Sequence, residues 1–310
     1  MDSSKASHTA LATSLMRALH ARSDPAPLLD DPWGDRLVPE TVRAALRERA
    51  MARLDPALRA TASPDKALDA ALRANAAYAD VILRSRYTED MLKAAVERGI
   101  TQYVLIGAGF DSFLCRRPAW AEGLKIYEVD HPATQQLKRR QLQHCGIAES
   151  DAVQFVAADL SEETLQSALA RSSFQPTQPT FFSWLGVTVY LTREANLATL
   201  RAIASVAPAG SELVFTYVDE AVLRPGHANT EAFNKLRSDV SSVGESFLSG
   251  FDPATLGPLL LETGLLLLED LGGNQAVARY DAAGAHGLRW AGAGHLAHAC
   301  VVNPEQRSPA

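Results

Sequence analysis

The sequence predicts an α/β fold in which a mostly parallel sheet follows a helical N-terminal segment. From residue 100 onward, short apolar runs alternate with helical stretches, as in strands joined by helical crossovers. Residues 1–98, by contrast, contain helix after helix. The chain has 310 residues, of which 47% are hydrophobic and 21% charged, and this supplies enough apolar material for a large core.

Residues 1–98 are predicted to form a helical cap. Leu11, Leu15 and Leu19 recur at helical spacing in the opening helix. Ser63 and Pro64 open a later helix, with proline at its first position. The Ala-rich stretch 68–86 is strongly helical, and a further helix over 89–98 ends at Gly99 as its C-terminal cap. The remaining residues, 99–310, are predicted to form one α/β domain.

Five apolar runs within that domain are predicted to be parallel strands. They lie at 103–106, 124–129, 153–156, 180–184 and 211–218. Helices are expected between them, at 132–144, 161–171 and 193–206. Because strand–helix–strand units have right-handed crossovers, the strands should form a parallel sheet.

The last third of the chain breaks this alternation. Residues 219–250 have few aliphatic side chains and contain Pro225-Gly226, as is typical of a lid or substrate loop after a strand. A helix at 253–263 and strands at 265–268 and 295–302 follow, and the strands are expected to add an antiparallel edge.

Composition and charge exclude several function classes. The formal net charge is −6 and the pI about 5.8, so a nucleic-acid partner is not expected. No apolar run is long enough to cross a membrane. Cys115, Cys145 and Cys300 are too far apart for a C-x-x-C pair or a zinc site, so we expect no metal and a reduced, cytoplasmic environment.

Glycines follow the first predicted strand, and acidic residues follow the second and third. Gly107-Ala108-Gly109 follows the first strand, where glycine lets the backbone approach a ligand closely. Glu128 and Asp130 end the second strand, 21 and 23 residues after Gly107, the spacing at which a carboxylate reaches ribose hydroxyls. After the third strand, Asp159 could accept a hydrogen bond from an adenine amino group, and Leu160 could pack on its ring. Either aspartate alone could instead cap a helix, but together these residues predict a nucleoside pocket.

The glycine turn lacks the third glycine of a dinucleotide-binding site, and this bears on which nucleoside is bound. A dinucleotide site has the pattern G-x-G-x-x-G, and the third glycine is replaced here by Ser112. This weakens the prediction of an NAD-linked oxidoreductase. An acid after the third strand, where adenine would lie, favours S-adenosylmethionine.

Three stretches resemble the leucine carboxyl methyltransferase-like family of S-adenosylmethionine-dependent methyltransferases. They are 104–111 (VLIGAGFD), 127–132 (YEVDHP) and 182–191 (FSWLGVTVYL), within a resemblance that spans about residues 7–280. The similarity is closest to the bacterial small-molecule branch. It implies a class I methyltransferase-type Rossmann-like sheet and S-adenosylmethionine as the cofactor.

The resemblance also implies site residues. An arginine before the first strand holds the methionine carboxylate of the cofactor, and Arg84 is favoured for this role, with Arg86 as the alternative. The other expected cofactor contacts are Gly107, Ala108, Gly109, Glu128, Asp130, Asp159, Leu160 and Trp184.

The family's protein-methylating members have a glutamate after the fourth strand, where this chain has Leu185. This departure favours a small-molecule acceptor, such as a polyketide or other secondary metabolite, methylated on a carboxylate or hydroxyl. A protein C-terminal carboxyl methyltransferase and a non-catalytic cofactor-binding protein stay open as alternatives. Tyr190, Tyr217 and Phe247 are candidates for the acceptor pocket. No general base can be assigned from the sequence, although His131 could touch the substrate, and the acceptor's identity and the oligomeric state are not predicted.

Overall fold

Seven strands form one sheet at the centre of the computed structural model, which describes residues 7–148, 150–241, 244–290, 292–303 and 305. The strands are β1 (Gln102–Ile106), β2 (Lys125–Asp130), β3 (Val153–Ala157), β4 (Thr180–Trp184), β5 (Glu212–Val218), β6 (Leu265–Gly272) and β7 (Gly294–Val301). Their order across the sheet is β3-β2-β1-β4-β5-β7-β6. The first five are parallel, and β7 runs antiparallel to both β5 and β6. The predicted mostly parallel sheet with an antiparallel C-terminal edge is confirmed.

Helices precede the sheet and connect its strands. In chain order they are α1 (His8–Ser23), α2 (Gly34–Leu37), α3 (Glu40–Ala52), α4 (Pro56–Arg59), α5 (Pro64–Arg73), α6 (Tyr78–Glu97), α7 (Phe113–Arg116), α8 (Pro132–His144), α9 (Leu165–Leu169), α10 (Arg193–Val206), α11 (Glu231–Ser241), α12 (Leu256–Thr263) and α13 (Gly273–Tyr280). Short 3-10 turns lie at Ala119–Ala121, Thr188–Tyr190 and Glu220–Leu223. No helix in the described part of the chain is long and apolar enough to cross a membrane.

The helical break before the sheet lies earlier than predicted. Stretches 68–86 and 89–98 were expected to be separate helices, but α6 is continuous through Tyr87 and Thr88, both buried. The break lies between α5 and α6 instead, where the Asn75 side chain accepts a hydrogen bond from the Ala77 N–H and so replaces a helical bond. Gly99, at φ 101°, ends the helical run as expected.

Two further boundaries differ from the prediction. The helix expected at 161–171 is the shorter α9, which is capped by Thr164, because Asp159 and Ser161 form a separate turn. β6 extends beyond 268 to Gly272 even though Glu269 and Asp270 are acidic. Their carboxylates accept hydrogen bonds from buried tyrosines, which keeps these positions within the sheet. α13 was not predicted.

Successive side chains of β1 point to opposite faces of the sheet, and each face packs in a hydrophobic core. Tyr103 and Leu105 pack in the core that also contains apolar residues of α1 and α6. Val104 and Ile106 pack on the other face with residues of α9, α10 and α12. The N-terminal helices therefore share a core with the sheet, which holds α1 and α6 against the ends of its central strands.

Strand order reverses between β1 and β4, since the chain continues from β1 to β2 on one side and from β4 to β5 on the other. The carboxyl ends of the two strands diverge into different loops at this point. Open α/β sheets bind ligands in the crevice that this divergence creates.

Candidate functional site

A cavity of about 340 Å³ lies at the carboxyl ends of β1 and β4. It is lined by most of the predicted site residues: Arg84, Gly107, Ala108, Gly109, Asp130, His131, Asp159, Leu160 and Tyr190. Leu185, Gly186 and Val187, from the loop after β4, form another part of the wall. The cavity falls within the size range of small-molecule and cofactor sites.

The turn after β1 lines the cavity with the backbone of two glycines. Gly107 and Gly109 have φ angles of 67° and 53°, in the left-handed region that favours glycine. A Cβ atom on Gly107 would lie 2.5 Å from Cγ2 of Val187, so a side chain there would collide with the opposite wall. The turn therefore requires glycine at this position for both backbone and space.

Asp130 ties this turn to the end of β2. One carboxylate oxygen accepts a hydrogen bond from the Gly109 N–H, and the other accepts one from the His131 N–H at 2.6 Å. Burial raises the pKa of Asp130, and the two backbone hydrogen bonds oppose this shift. A carboxylate has about four lone-pair positions, so Asp130 keeps capacity to accept further bonds from a ligand.

Asp159 and His131 form the far end of the cavity, beyond β2. Oδ1 of Asp159 accepts bonds from the Ser161 N–H at 2.9 Å and the Ser161 hydroxyl at 2.6 Å, which lower the pKa of Asp159. Oδ2 lies 3.7 Å from Nε2 of His131. Nδ1 of His131 accepts the Ala133 N–H at 3.2 Å as the N-cap of α8, so the Nε2 edge of the ring faces Asp159.

The two predicted arginines of α6 have different surroundings. Arg84 lines the cavity, donates to Asp80 at 2.7 Å and lies against Gly186, where a Cβ atom would be 2.8 Å from both terminal guanidinium nitrogens. Burial raises the pKa of Asp80, and the charge of Arg84 opposes this. Arg86 does not line the cavity: it binds Asp90 at 3.0 Å and the Leu28 carbonyl at 3.0 Å. Of these two predicted arginines, the structure therefore directs only Arg84 to the cavity.

Two other predicted cofactor contacts lie outside the cavity. Glu128 points toward α8 and pairs with Lys138 at 2.5 Å, both side chains being almost fully buried. Burial raises the pKa of Glu128 to about 7, against the attraction of Lys138. Trp184 is completely buried beside Phe215 in the core. Both side chains are used in packing, which corrects their assignment as cofactor contacts.

Of the three residues predicted to line the acceptor pocket, one lines the cavity and two do not. Tyr190 lines the cavity, and its pKa is raised to about 12, chiefly by burial and then by the charge of Glu245. Phe247 stands behind it, with ring centroids 5.7 Å apart, and does not line the cavity. Tyr217 is directed elsewhere: it donates to Asp270 at 2.7 Å and stacks on His295 at 4.8 Å, so its assignment to the pocket is corrected.

Residues of α1 form a wall of the cavity that the sequence did not indicate. Ser7, Thr9, Ala10, Thr13 and Arg17 all line it. The hydroxyls of Ser7 and Thr9 donate to the two carboxylate oxygens of buried Glu245, at 2.9 and 2.5 Å. These contacts join the start of α1 to the segment after α11, across 238 and 236 positions of sequence. The leucine periodicity of α1 indicated a packed helix, but no local signal marked its first turn as a cavity wall.

Comparison with known proteins assigns the family. The sequence model of the family "Leucine carboxyl methyltransferase" matches residues 10–204, more than half of the chain. The chain belongs to the leucine carboxyl methyltransferase family. The resemblance noted in the sequence is confirmed, and the chain is an S-adenosylmethionine-dependent methyltransferase.

Relatives of this methyltransferase span most of its length. It is 31% identical to the Bacillus subtilis protein "Putative S-adenosyl-L-methionine-dependent methyltransferase YktD" over 276 residues, 87% of this chain and 90% of the relative. A Mycolicibacterium smegmatis protein, also named a "Putative S-adenosyl-L-methionine-dependent methyltransferase", is 31% identical over 218 residues, 70% of this chain and 69% of the relative.

A solved structure confirms the fold. A duf574 family protein from Streptomyces avermitilis superposes with a TM-score of 0.57 at 18% identity, covering 84% of this chain and 97% of that one. A Thermobifida fusca structure described as a "putative methyltransferase" gives a TM-score of 0.55 at 14% identity, and the match covers 97% of both chains. At these identities the likeness concerns the fold alone.

The donor and acceptor set of the cavity fits S-adenosylmethionine. The cofactor has an amino acid carboxylate, two ribose hydroxyls and an adenine ring. The cavity offers a guanidinium in Arg84, a carboxylate with free lone pairs in Asp130, and an acid beside an apolar side chain in Asp159 and Leu160. Gly107 presents backbone to the cavity, where a side chain would collide with Val187. Each of these three groups thus has a residue of matching polarity on the wall.

Proposed function

We propose that this methyltransferase transfers its methyl group to a carboxylate or hydroxyl oxygen of a small molecule, such as a polyketide or other secondary metabolite. The observation that carries the proposal is the way the cavity is walled. Ser7, Thr9, Tyr190 and Leu185 line it. Ser7 and Thr9 also donate hydrogen bonds to Glu245, and we call this contact the roof of the cavity. This enclosure suits a small, partly apolar acceptor better than the terminus of a folded protein.

Each part of the cofactor has a proposed partner. Arg84 holds the methionine carboxylate, because a planar guanidinium binds a carboxylate bidentately. Asp130 accepts from the ribose hydroxyls, with the backbone of Gly107, Ala108 and Gly109 beside it. Asp159 accepts from the adenine amino group and Leu160 packs on the ring. The order β3-β2-β1-β4 supports these roles, because Asp159, Asp130 and Gly107 follow neighbouring strands of the sheet and Arg84 lies against Gly186, after β4.

The residues act mainly by orientation. Bound S-adenosylmethionine supplies an electrophilic methyl group on a sulfonium. The chain holds the acceptor oxygen in line with the departing sulfur, and alignment of this kind can contribute about 7–11 kcal/mol.

We further propose that the N-terminal helices, 1–98, act as a cap and that residues 219–250 act as a lid. The insertion contributes Glu245 to the roof, and its Leu248 N–H donates to the Val189 carbonyl at 2.7 Å, next to Tyr190. Because the cap and the lid meet above the cavity, parting them would admit both substrates.

Methylation of a protein C terminus is the alternative that the family description favours. Leu185, at the position of the glutamate in protein-methylating relatives by resemblance, is apolar and lines the cavity. The protein-substrate reaction therefore lacks an acid that the resemblance associates with it.

The two functions can be separated with methyl-labelled S-adenosylmethionine. The enzyme is offered a panel of phenols, alcohols and carboxylic acids in one reaction and a mixture of intact proteins in another. We expect S-adenosylhomocysteine to form, and the label to appear, in the small-molecule reaction. Label on protein C termini, with none on small molecules, would favour the alternative.

A further inference from the structure

Arg17, in α1, is a buried cation of the cavity wall that the proposed cofactor contacts do not use. Its side chain is 6% exposed and lines the cavity. Nη2 donates a hydrogen bond to the Phe110 carbonyl at 2.6 Å, and Nε donates one to the Asp31 carboxylate at 2.8 Å. Because Phe110 directly follows the glycine turn, 107–109, Arg17 binds the backbone immediately beyond that turn.

The glycine turn is a flexible segment that has to be held in one conformation to receive a ligand. Gly107 and Gly109 have φ angles of 67° and 53°, and glycine loses more conformational freedom on folding than any other residue. Asp130 restrains the turn from the side of the sheet, where it accepts the Gly109 N–H. Arg17 restrains it from the side of α1, through the Phe110 carbonyl. The turn therefore has one anchor in the sheet and one in the N-terminal helices.

Asp31 fixes the direction of the Arg17 guanidinium. The Asp31 side chain is completely buried but does not line the cavity, and its second oxygen accepts the Trp33 N–H at 3.1 Å. Burial by itself would raise the pKa of Asp31, but the charges of Arg17 and Arg116 outweigh it and lower that pKa, so the carboxyl is ionised at neutral pH. A guanidinium held by a carboxylate at Nε and by a carbonyl at Nη2 has little freedom to turn.

A second arginine holds the same segment from α6. Nε of Arg116 donates to the Ser112 hydroxyl at 3.0 Å, and its two terminal nitrogens donate to the two carboxylate oxygens of Glu89. Nε of Arg116 also lies 3.8 Å from Asp31. Arg116 thus joins the segment after the glycine turn to α6, and Asp31 lies between the two guanidiniums.

From these contacts we infer that Arg17 is a positioning residue for the cofactor: by holding the Phe110 carbonyl, it keeps the glycine turn in the conformation that receives S-adenosylmethionine. The inference rests on the proposed contact between the turn and the cofactor, and it adds a role for α1. The turn binds the cofactor, and Arg17 acts through the turn. Because the guanidinium is charged and buried, its bond to the carbonyl is stronger than a bond between neutral groups.

Hydrogen exchange of the ligand-free enzyme, followed by NMR, tests whether Arg17 holds the turn. The Asp111 N–H donates to the Ala108 carbonyl at 2.9 Å and so closes the turn. Arg17→Met keeps the aliphatic stem but has no N–H groups, and we expect the Asp111 amide to exchange more than about tenfold faster than in wild type. Arg22→Met, at an exposed arginine of α1 that pairs with Asp35, is the control and should change this rate less than about twofold. Unchanged exchange at Asp111 in Arg17→Met would overturn the inference, even if cofactor affinity fell, because Arg17 would then act by direct contact.

Calorimetry with S-adenosylhomocysteine tests the consequence for binding. We expect the Kd of the folded protein to rise about tenfold in Arg17→Met. This variant leaves Asp31 without its nearest cation, so the double variant Arg17→Met with Asp31→Leu is measured as well. It removes both charges of the buried pair together, which favours folding, and its Kd should rise by about the same tenfold factor. Lower stability in urea with an unchanged Kd would overturn the inference, because Arg17 would then be structural only.

Asp130→Ala separates failure of this inference from failure of the proposed cofactor contact. Asp130 is the other anchor of the turn, so its loss should also raise the Kd for S-adenosylhomocysteine. A higher Kd in Asp130→Ala, with an unchanged Kd in both Arg17 variants, would overturn the role of Arg17 alone. An unchanged Kd in all of them would also contradict the proposed binding of the cofactor at the turn. These measurements use no acceptor, so they do not depend on which acceptor the enzyme methylates.

Discussion

At the scale of single residues, Arg84 and Arg86 show how little sequence distance separates a site residue from a structural one. Side chains two positions apart on a helix are rotated by about 200° around its axis, so they point to nearly opposite sides and cannot both face the same cavity. Arg84 faces the cavity and Gly186, while Arg86 faces Leu28 and Asp90. The two guanidiniums carry the same charge, and only their direction distinguishes them.

Matched lysine variants test this difference. Arg84→Lys keeps the charge but loses the planar fork, so we expect S-adenosylhomocysteine affinity to fall more than about tenfold. Arg86→Lys, in the same helix and with an acidic partner of its own, is the control and should change affinity less than about twofold. Isothermal titration calorimetry measures both. Comparable losses of affinity in the two variants would contradict the proposal that Arg84 binds the cofactor carboxylate.

At the scale of elements, the contact between α8 and β2 contains a buried ion pair. Lys138 and Glu128 are 1% and 2% exposed in their side chains, and their nitrogen and oxygen are 2.5 Å apart. The other Glu128 oxygen, Oε1, is buried and has no hydrogen-bond partner. Burial therefore outweighs the attraction of Lys138 and raises the pKa of Glu128 to about 7.

This pair predicts a pH dependence of stability. The native state binds the Glu128 proton more tightly than the unfolded chain, so the contribution of Glu128 to stability falls as the pH rises from about 4.5 to about 7. We expect wild type to lose about 1–3 kcal/mol relative to Glu128→Gln between pH 5 and pH 8. Urea unfolding at each pH measures the difference. Glu163→Gln, at a half-buried glutamate paired with Arg171, is the control, and a parallel pH profile for wild type and Glu128→Gln would contradict the prediction.

At the scale of the whole molecule, distant parts of the chain enclose one cavity. α1 and α6 come from the N-terminal helices, the glycine turn and Asp130 from the sheet, and Glu245 from the insertion after β5. A ligand bound among them contacts segments that are held together only by the native fold. Cofactor binding should therefore stabilise the whole structure and tighten the segments above the cavity most.

S-adenosylhomocysteine should accordingly stabilise the native state. At about 100 times its Kd, we expect the free energy of unfolding to rise by about 2.7 kcal/mol, with slower hydrogen exchange at the start of α1 and at 244–250. NADH at the same concentration is the control and should leave both measurements unchanged. Denaturant unfolding and hydrogen exchange by mass spectrometry report the two effects, and stabilisation by NADH alone would contradict the cofactor assignment at this site.

The fold was predictable from sequence where short-range signals decide it. Apolar runs located the five parallel strands to within a residue or two, and Gly99 marked the end of the helices before them. The helical break was missed because a side-chain bond at Asn75 decides it. β6 was predicted too short because its acidic residues are satisfied by Tyr87 and Tyr217, which come from other elements.

From the sequence alone, the strand-end part of the cavity wall could be predicted: the glycine turn, Asp130 and the pair Asp159–Leu160. The carboxyl ends of parallel strands meet at one edge, so their residues converge whatever the details of packing. Only the tertiary structure directed Arg84 and not Arg86 to the cavity, turned Glu128 toward Lys138, and joined Thr9 to Glu245. Those choices depend on how helices rotate and dock against the sheet, and that docking is governed by contacts between residues far apart in the chain.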